Sequence, residues 1–199
     1  MVNLHPTVVS GIQHACRPGC IAGCPLRWTR DLLSLLASLM MFGCTGLPTG
    51  VQPVDGFDVN RYLGKWYEIA RLDHAFERGL DRVSAEYSLR EDGGVEVLNR
   101  GYLPADKQWK EARGKAYFVR DSNEAYLKVS FFGPFYGSYV VFGLDQDQYQ
   151  YAYVAGYNRS YLWLLARTPR VSKTVIERFV ERSKALGFAT DDLIYVEQD

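Results

Sequence analysis

From Asp81 to Arg167 the chain repeats one pattern: short runs in which every second residue is apolar, punctuated by glycine- and aspartate-rich turns. In Asp81–Leu89 the residues Val83, Ala85, Tyr87 and Leu89 share one face, and Arg82, Ser84, Glu86 and Ser88 share the other. Such period-two alternation is the mark of a half-buried strand. Glu91-Asp92-Gly93-Gly94 supplies residues that tolerate positive φ and predicts a hairpin turn. Strands are expected at Val95–Tyr102 and Ala112–Val119, then, after the turn Asp121-Ser122-Asn123, at Ala125–Phe131. Gly133-Pro134 breaks the pattern before Tyr136–Leu144, Gln150–Tyr157 and Tyr161–Arg167. With Trp66–Leu72 at the front, eight strands follow one another through mostly short turns. The expected class is all-β, a sandwich or an up-and-down antiparallel barrel. Eight strands can close around a side-chain core or one small ligand.

One segment departs from that period. Ser172–Leu186 gathers Val175, Ile176, Phe179, Val180 and Leu186 on one stripe, with Glu177, Arg178, Glu181, Arg182 and Lys184 elsewhere. Ser172 is placed to act as N-cap and Gly187 as the left-handed residue after the helix. The strand before it is apolar on both faces, with Tyr161, Trp163, Leu165 and Arg167 pointing one way and Leu162, Leu164 and Ala166 the other. A strand of this kind is covered on both sides, so the amphipathic helix is expected outside the barrel there. Ile194-Tyr195-Val196 can add a short final strand.

Composition narrows the function. The 199 residues carry 23 basic and 23 acidic side chains, and this balance argues against a nucleic-acid partner. Aromatic residues make up 14% of the chain, bulk that suits strands and large apolar contacts. All four cysteines, Cys16, Cys20, Cys24 and Cys44, precede the strands, so the β body is held without crosslinks.

The first 55 residues read as an address and a tether. Arg27 and Arg30 precede an apolar or small-residue run over 32–42, the layout of a secretory signal and too short to span a bilayer. The run ends at Gly43-Cys44, which resembles the lipobox of bacterial lipoproteins, where the cysteine becomes lipid-modified and N-terminal. Met41 and Phe42 depart from that pattern's preferred residues, and a plain signal peptide or an uncleaved anchor is the alternative. Thr45 after the cysteine favours, by the same resemblance, the outer over the inner membrane. Residues 1–43 are thus read as an extension plus signal peptide, 44–55 as a lipidated tether rich in Gly, Pro and Thr, and 56–199 as the barrel. The C-x3-C-x3-C spacing of Cys16, Cys20 and Cys24 is not that of a zinc ribbon. Removing residues 1–44 takes away Arg17, Arg27, Arg30 and Asp31 and leaves 20 basic and 22 acidic residues, a net charge of −2.

Several runs of the barrel carry a resemblance. Gly64-Lys65-Trp66-Tyr67-Glu68-Ile69-Ala70-Arg71, followed by Phe76-Glu77-Arg78-Gly79-Leu80, resembles the opening of lipocalins, especially bacterial outer-membrane ones. Lys128–Tyr136 and Tyr161–Pro169 are similar to further runs of that subfamily, and the resemblance spans roughly residues 53–198. The family's T-D-Y element is replaced here by Asp145-Gln146-Asp147-Gln148-Tyr149. The resemblance implies an eight-stranded up-and-down barrel with one C-terminal helix outside it. It also implies that Trp66 closes the narrow end with Arg167 lying across it, and that fatty acid or lysophospholipid occupies the cup. Gly64 is expected to allow close chain approach as the first strand begins.

Alternation places Tyr87, Val97, Phe118, Leu127, Val129, Phe131, Tyr139, Tyr153 and Trp163 inward as candidate ligand contacts, and Phe76 in the loop after the first strand as part of a lid. A one-residue slip in register would reverse any of these strands. The FFGPFYG stretch is left open between a mouth loop, a homodimer contact and a bulged corner. No catalytic residue, metal ligand or cofactor is assigned: no H-E-x-x-H and no glycine-rich phosphate loop follows a strand. The function expected is storage or transport of fatty acids or lysophospholipids by a protein anchored through Cys44 to the bacterial outer membrane, on its periplasmic face. The alternatives are an envelope interaction lipoprotein with a filled barrel, and an enzyme using His74, which reads more simply as a surface-loop histidine beside Asp73 and near Glu77.

Overall fold

The computed structural model describes residues 45–199, so the apolar run, Cys44 and the three earlier cysteines lie outside the described residues. A single-turn helix α1 (Val59–Tyr62), capped by the Asp58 side chain, leads into β1 (Gly64–Arg71). The barrel continues through β2 (Asp81–Leu89), β3 (Val95–Leu103), β4 (Gln108–Phe118), β5 (Tyr126–Phe132), β6 (Phe135–Leu144), β7 (Tyr151–Ala155) and β8 (Leu162–Ala166). Helix α2 (Lys173–Ala185), a 3₁₀ turn at Thr190–Asp192 and β9 (Ile194–Tyr195) complete the chain. From β1 to β8 each strand pairs antiparallel with the next. β1 closes the ring by pairing with both β2 and β8, and the short β9 adds to β1 at Ala70 and Arg71. The expected eight-stranded up-and-down barrel is the one observed; β4 begins four residues earlier than its apolar pattern, because Gln108–Glu111 are an exposed hairpin arm.

Up-and-down order sends alternate connections to opposite ends. The β1–β2, β3–β4, β5–β6 and β7–β8 connections share one end, and the β2–β3, β4–β5 and β6–β7 turns share the other with α1. Phe57, Tyr62 and Trp66 plug that second end, with Trp66 fully buried and its indole N–H donating to the Tyr62 carbonyl at 2.8 Å. The first end is open.

Helix α2 lies outside, as its stripe predicts. Phe179 is fully buried, and Val175, Ile176, Val180 and Leu186 join the cluster formed by Phe142, Tyr153, Leu162 and Leu164. The Ser172 hydroxyl caps the first turn by accepting from Val175 N–H, and Gly187 takes a φ of +82°.

The tether reading is corrected. Val51 is 1% exposed in the outer core, Leu47 packs against the same cluster, and Val54 bonds to the Val141 carbonyl and the Ala125 N–H. Residues 47–57 are therefore a strap bound to the barrel wall: a few apolar side chains among Gly, Pro and Thr suffice when a hydrophobic wall lies in reach. Departure from T-D-Y does not loosen its loop. The Asp145 carboxylate accepts from the Gln148 and Gln150 N–H groups, and buried Tyr149 accepts from Asp58 N–H through its hydroxyl.

Candidate ligand cavity

Inside the open end lies a cavity of about 100 Å³ of solvent-accessible space. Its wall follows from alternation: Val83, Ala85 and Tyr87 from β2, Val95, Val97 and Asn99 from β3, and Leu127, Val129 and Phe131 from β5. Tyr139 from β6, Val154 from β7, and Trp163 and Leu165 from β8 complete the circuit, with Phe76 at the rim. Gly114 faces Val97 in the pairing of β3 and β4, and a side chain there would strike the Phe131 ring at 2.8 Å.

Of the expected contact residues, Phe76, Tyr87, Val97, Leu127, Val129, Phe131, Tyr139 and Trp163 line this cavity. Phe118 points inward but below it, with its ring edge against Phe57 at 6.2 Å in the plug of the closed end. Tyr153 is on the opposite face. The register pairs Val154 with Trp163, so Val154 looks inward, and Tyr153 packs on Phe179 of α2 at 5.1 Å. Both faces of β7 are buried, so the strand carries no amphipathic signal to fix its direction.

Two polar clusters, besides the single residues Ser84, Asn99 and Ser138, interrupt the apolar wall. Deep in the barrel the hydroxyls of Tyr62 and Tyr87 flank that of Tyr139 at 2.7 and 2.9 Å. Burial pushes all three phenols above their ordinary range. Three hydroxyl protons serve two bonds within this cluster, so one O–H is in excess of them.

Nearer the mouth, Glu68 and Glu77 reach the wall with Arg71 and His74 behind them. Arg71 donates to Glu68 Oε1 at 2.7 Å and to the carbonyls of Glu77 and Leu80 at 3.1 Å. Burial, reinforced by the charge of Glu77, pushes Glu68 well above the usual carboxylate range. Burial presses Glu77 upward too, but His74 and the Trp163 N–H, which donates to Glu77 Oε2 at 3.1 Å, hold it below. A register shift between Glu68 and Ala70 turns Ile69 and Ala70 to the outer core and Arg71 back to the interior. His74 is not at the surface: it is 5% exposed, stacked on Phe76 at 4.0 Å, with Nε2 3.0 Å from Glu77 Oε2. Neither carboxyl figures among the expected contacts, although Glu68, two residues after Trp66, shares its inward parity.

A family model described as a lipocalin-like domain matches residues 57–198. The chain belongs to the lipocalin family. Among relatives of this lipocalin is the outer membrane lipoprotein Blc of Vibrio cholerae serotype O1 (strain ATCC 39315 / El Tor Inaba N16961). That protein is 59% identical over 169 residues, covering 85% of this chain and 99% of the relative. The protein of the same name from Escherichia coli (strain K12) is 49% identical over 164 residues, 81% of this chain and 92% of that one. Apolipoprotein D of Bos taurus is 36% identical over 121 residues, 58% of this chain and 63% of the relative. Among solved structures, insecticyanin from the tobacco hornworm Manduca sexta superposes with a TM-score of 0.61 at 19% identity, over 76% of this chain and 86% of that one. The cockroach allergen Per a 4 gives 0.60 at 22% identity over 78% and 96%. At such identities these two structures speak for the lipocalin fold alone.

Proposed function

We propose that this lipocalin is a lipid carrier of the bacterial cell envelope, anchored through acylated Cys44 to the periplasmic face of the outer membrane, with a fatty acid or lysophospholipid in its cup. The observation that carries this reading is the cavity: an apolar, aromatic-walled space open at one end and closed by Trp66 at the other. Burying an acyl chain needs apolar area, at about 25 cal/mol per Å², and no reactive group. The anchor is supported by the Gly43-Cys44 pattern after the apolar run and by relatives whose names call them outer membrane lipoproteins.

The enzyme alternative has less to stand on. His74 is covered by Phe76 and Tyr161 and braces Glu77, so its ring is not presented to a substrate. Titration of the chain from Thr45 onward with lysophospholipid, followed by tryptophan fluorescence, tests the carrier reading. Saturable binding with a Kd below about 10 μM is expected; weaker binding than that, about −7 kcal/mol, refutes it. Cys44→Ser is expected to release the protein from membranes, and unchanged membrane association would overturn the anchor.

A further inference from the structure

Exposed aromatic side chains crowd the open end of the barrel. Phe132 is 81% and Phe135 71% exposed at the β5–β6 hairpin tip, Phe76 is 58% exposed in the β1–β2 loop, and Trp109 is 44% exposed beside the β3–β4 turn. At the closed end the large exposed apolar side chains among the described residues are aliphatic and separate, Leu89 and Val119. Phe132 and Phe135 touch no core cluster, and Lys128 stands close by, over the Tyr136 ring at 5.2 Å. Protruding aromatics with a cation beside them suit the boundary between headgroups and acyl chains.

The strap shows which way that end faces. The Ser138 hydroxyl donates to the Gly46 carbonyl at 2.6 Å, and the Tyr126 hydroxyl donates to the Thr45 carbonyl. Ser138 is three residues along β6 from Phe135, about 10 Å at the rise of a strand. From Gly46 beside β6 the strap passes the β7–β8 connection at the open end, where Arg159 donates to the Thr49 carbonyl at 2.8 Å, before Val54 bonds to Val141. Cys44 is two residues before Gly46, at most about 7 Å of extended chain. Because residues 47–57 are packed down, no free linker separates an anchor at Cys44 from the barrel.

We propose that the open mouth of this lipocalin docks on the bilayer that holds its anchor, with Phe132 and Phe135 seated among the lipid headgroups. Lipid then passes between leaflet and cup without crossing water. This orientation rests on the reading of Cys44 as the acylated residue; a loose tether of a dozen residues would have left the barrel free to tumble.

Full-length protein purified from membranes and reconstituted into phosphatidylethanolamine–phosphatidylglycerol vesicles provides the test. Nitroxide probes are attached at Phe135→Cys and, separately, at Leu89→Cys, with the wild type as labelling background. The Phe135→Cys probe is expected to be accessible to oxygen and shielded from a water-soluble nickel complex, and the Leu89→Cys probe to show the reverse. Flotation of the protein with vesicles while the Phe135→Cys probe stays in water, or shielding of the Leu89→Cys probe, overturns the docking and leaves the anchor standing. Failure of the wild type to float overturns both. Phe132→Ser with Phe135→Ser is expected to slow uptake of a fluorescent lysophospholipid from vesicles at least tenfold while its affinity for the same probe in free solution is unchanged; an unchanged rate counts against docking.

Discussion

The guanidinium carbon of Arg167 lies 4.0 Å from the centre of the Trp66 ring. The same side chain donates to the carbonyls of Arg61, Lys65 and Tyr149 at 2.7, 3.0 and 3.3 Å. One cation therefore ties α1, β1 and the β6–β7 loop across the closed end. Arg167→Ala removes the ring contact and strips three carbonyls of a donor, and is expected to cost about 2–4 kcal/mol. Arg167→Lys should recover little, because an ammonium cannot reproduce the planar fork. Urea unfolding of both variants checks this.

The tyrosine chain gives an unequal set of deletions. Tyr139 is the shared member, so Tyr139→Phe breaks both hydroxyl bonds and leaves the Tyr62 and Tyr87 hydroxyls unpaired. It should cost about 2–3 kcal/mol, against about 1 for Tyr62→Phe or Tyr87→Phe. Equal losses in the three variants by urea unfolding would refute the central role of Tyr139.

Those phenols also set the alkaline limit of stability. Burial raises Tyr62, Tyr87 and Tyr139, and burial followed by the neighbouring Tyr151 pushes Tyr153 up to about 12. The unfolded chain releases these protons near pH 10, about the ordinary value for tyrosine. Stability is therefore complete below that pH and is lost as pH rises through the folded values. Absorbance at the tyrosinate band should rise in part only together with unfolding, and the midpoint of thermal unfolding should fall steadily in strong alkali.

Opposite faces of the sheet predict opposite phenotypes. Tyr153→Ala unpacks Phe179 and α2 and is expected to cost about 3 kcal/mol with lysophospholipid affinity little changed. Val129→Trp, which fills the cavity from β5, should weaken the same ligand at least tenfold, about 1.4 kcal/mol. Paired unfolding and fluorescence titrations separate the two.

Much of this protein is legible from local pattern. Alternation in β2 and β5 placed Val83, Tyr87, Leu127, Val129 and Phe131 on the wall they occupy, because each strand has one polar face to orient it. The helical stripe of 172–186 found its cover over the doubly apolar β8 for the same reason. In β7 the pattern fails: Tyr151–Ala155 is apolar on both sides, and only pairing with Trp163 and the weight of α2 decide that Tyr153 looks outward.

The architecture is written locally in the chain: the number of strands, their order and most of their facing follow from period-two burial, which neighbouring residues alone set. Contacts between distant segments, by contrast, exist only once the barrel has closed. Glu68 and Glu77 meet at the cavity wall because a slip in β1 returns Arg71 to the interior, and His74 is buried because Phe76 and Tyr161 close over it. The strap shows the difference most directly. Leu47 and Val51 are too sparse to form an element of their own, and they are fixed only because the folded barrel offers them a hydrophobic wall.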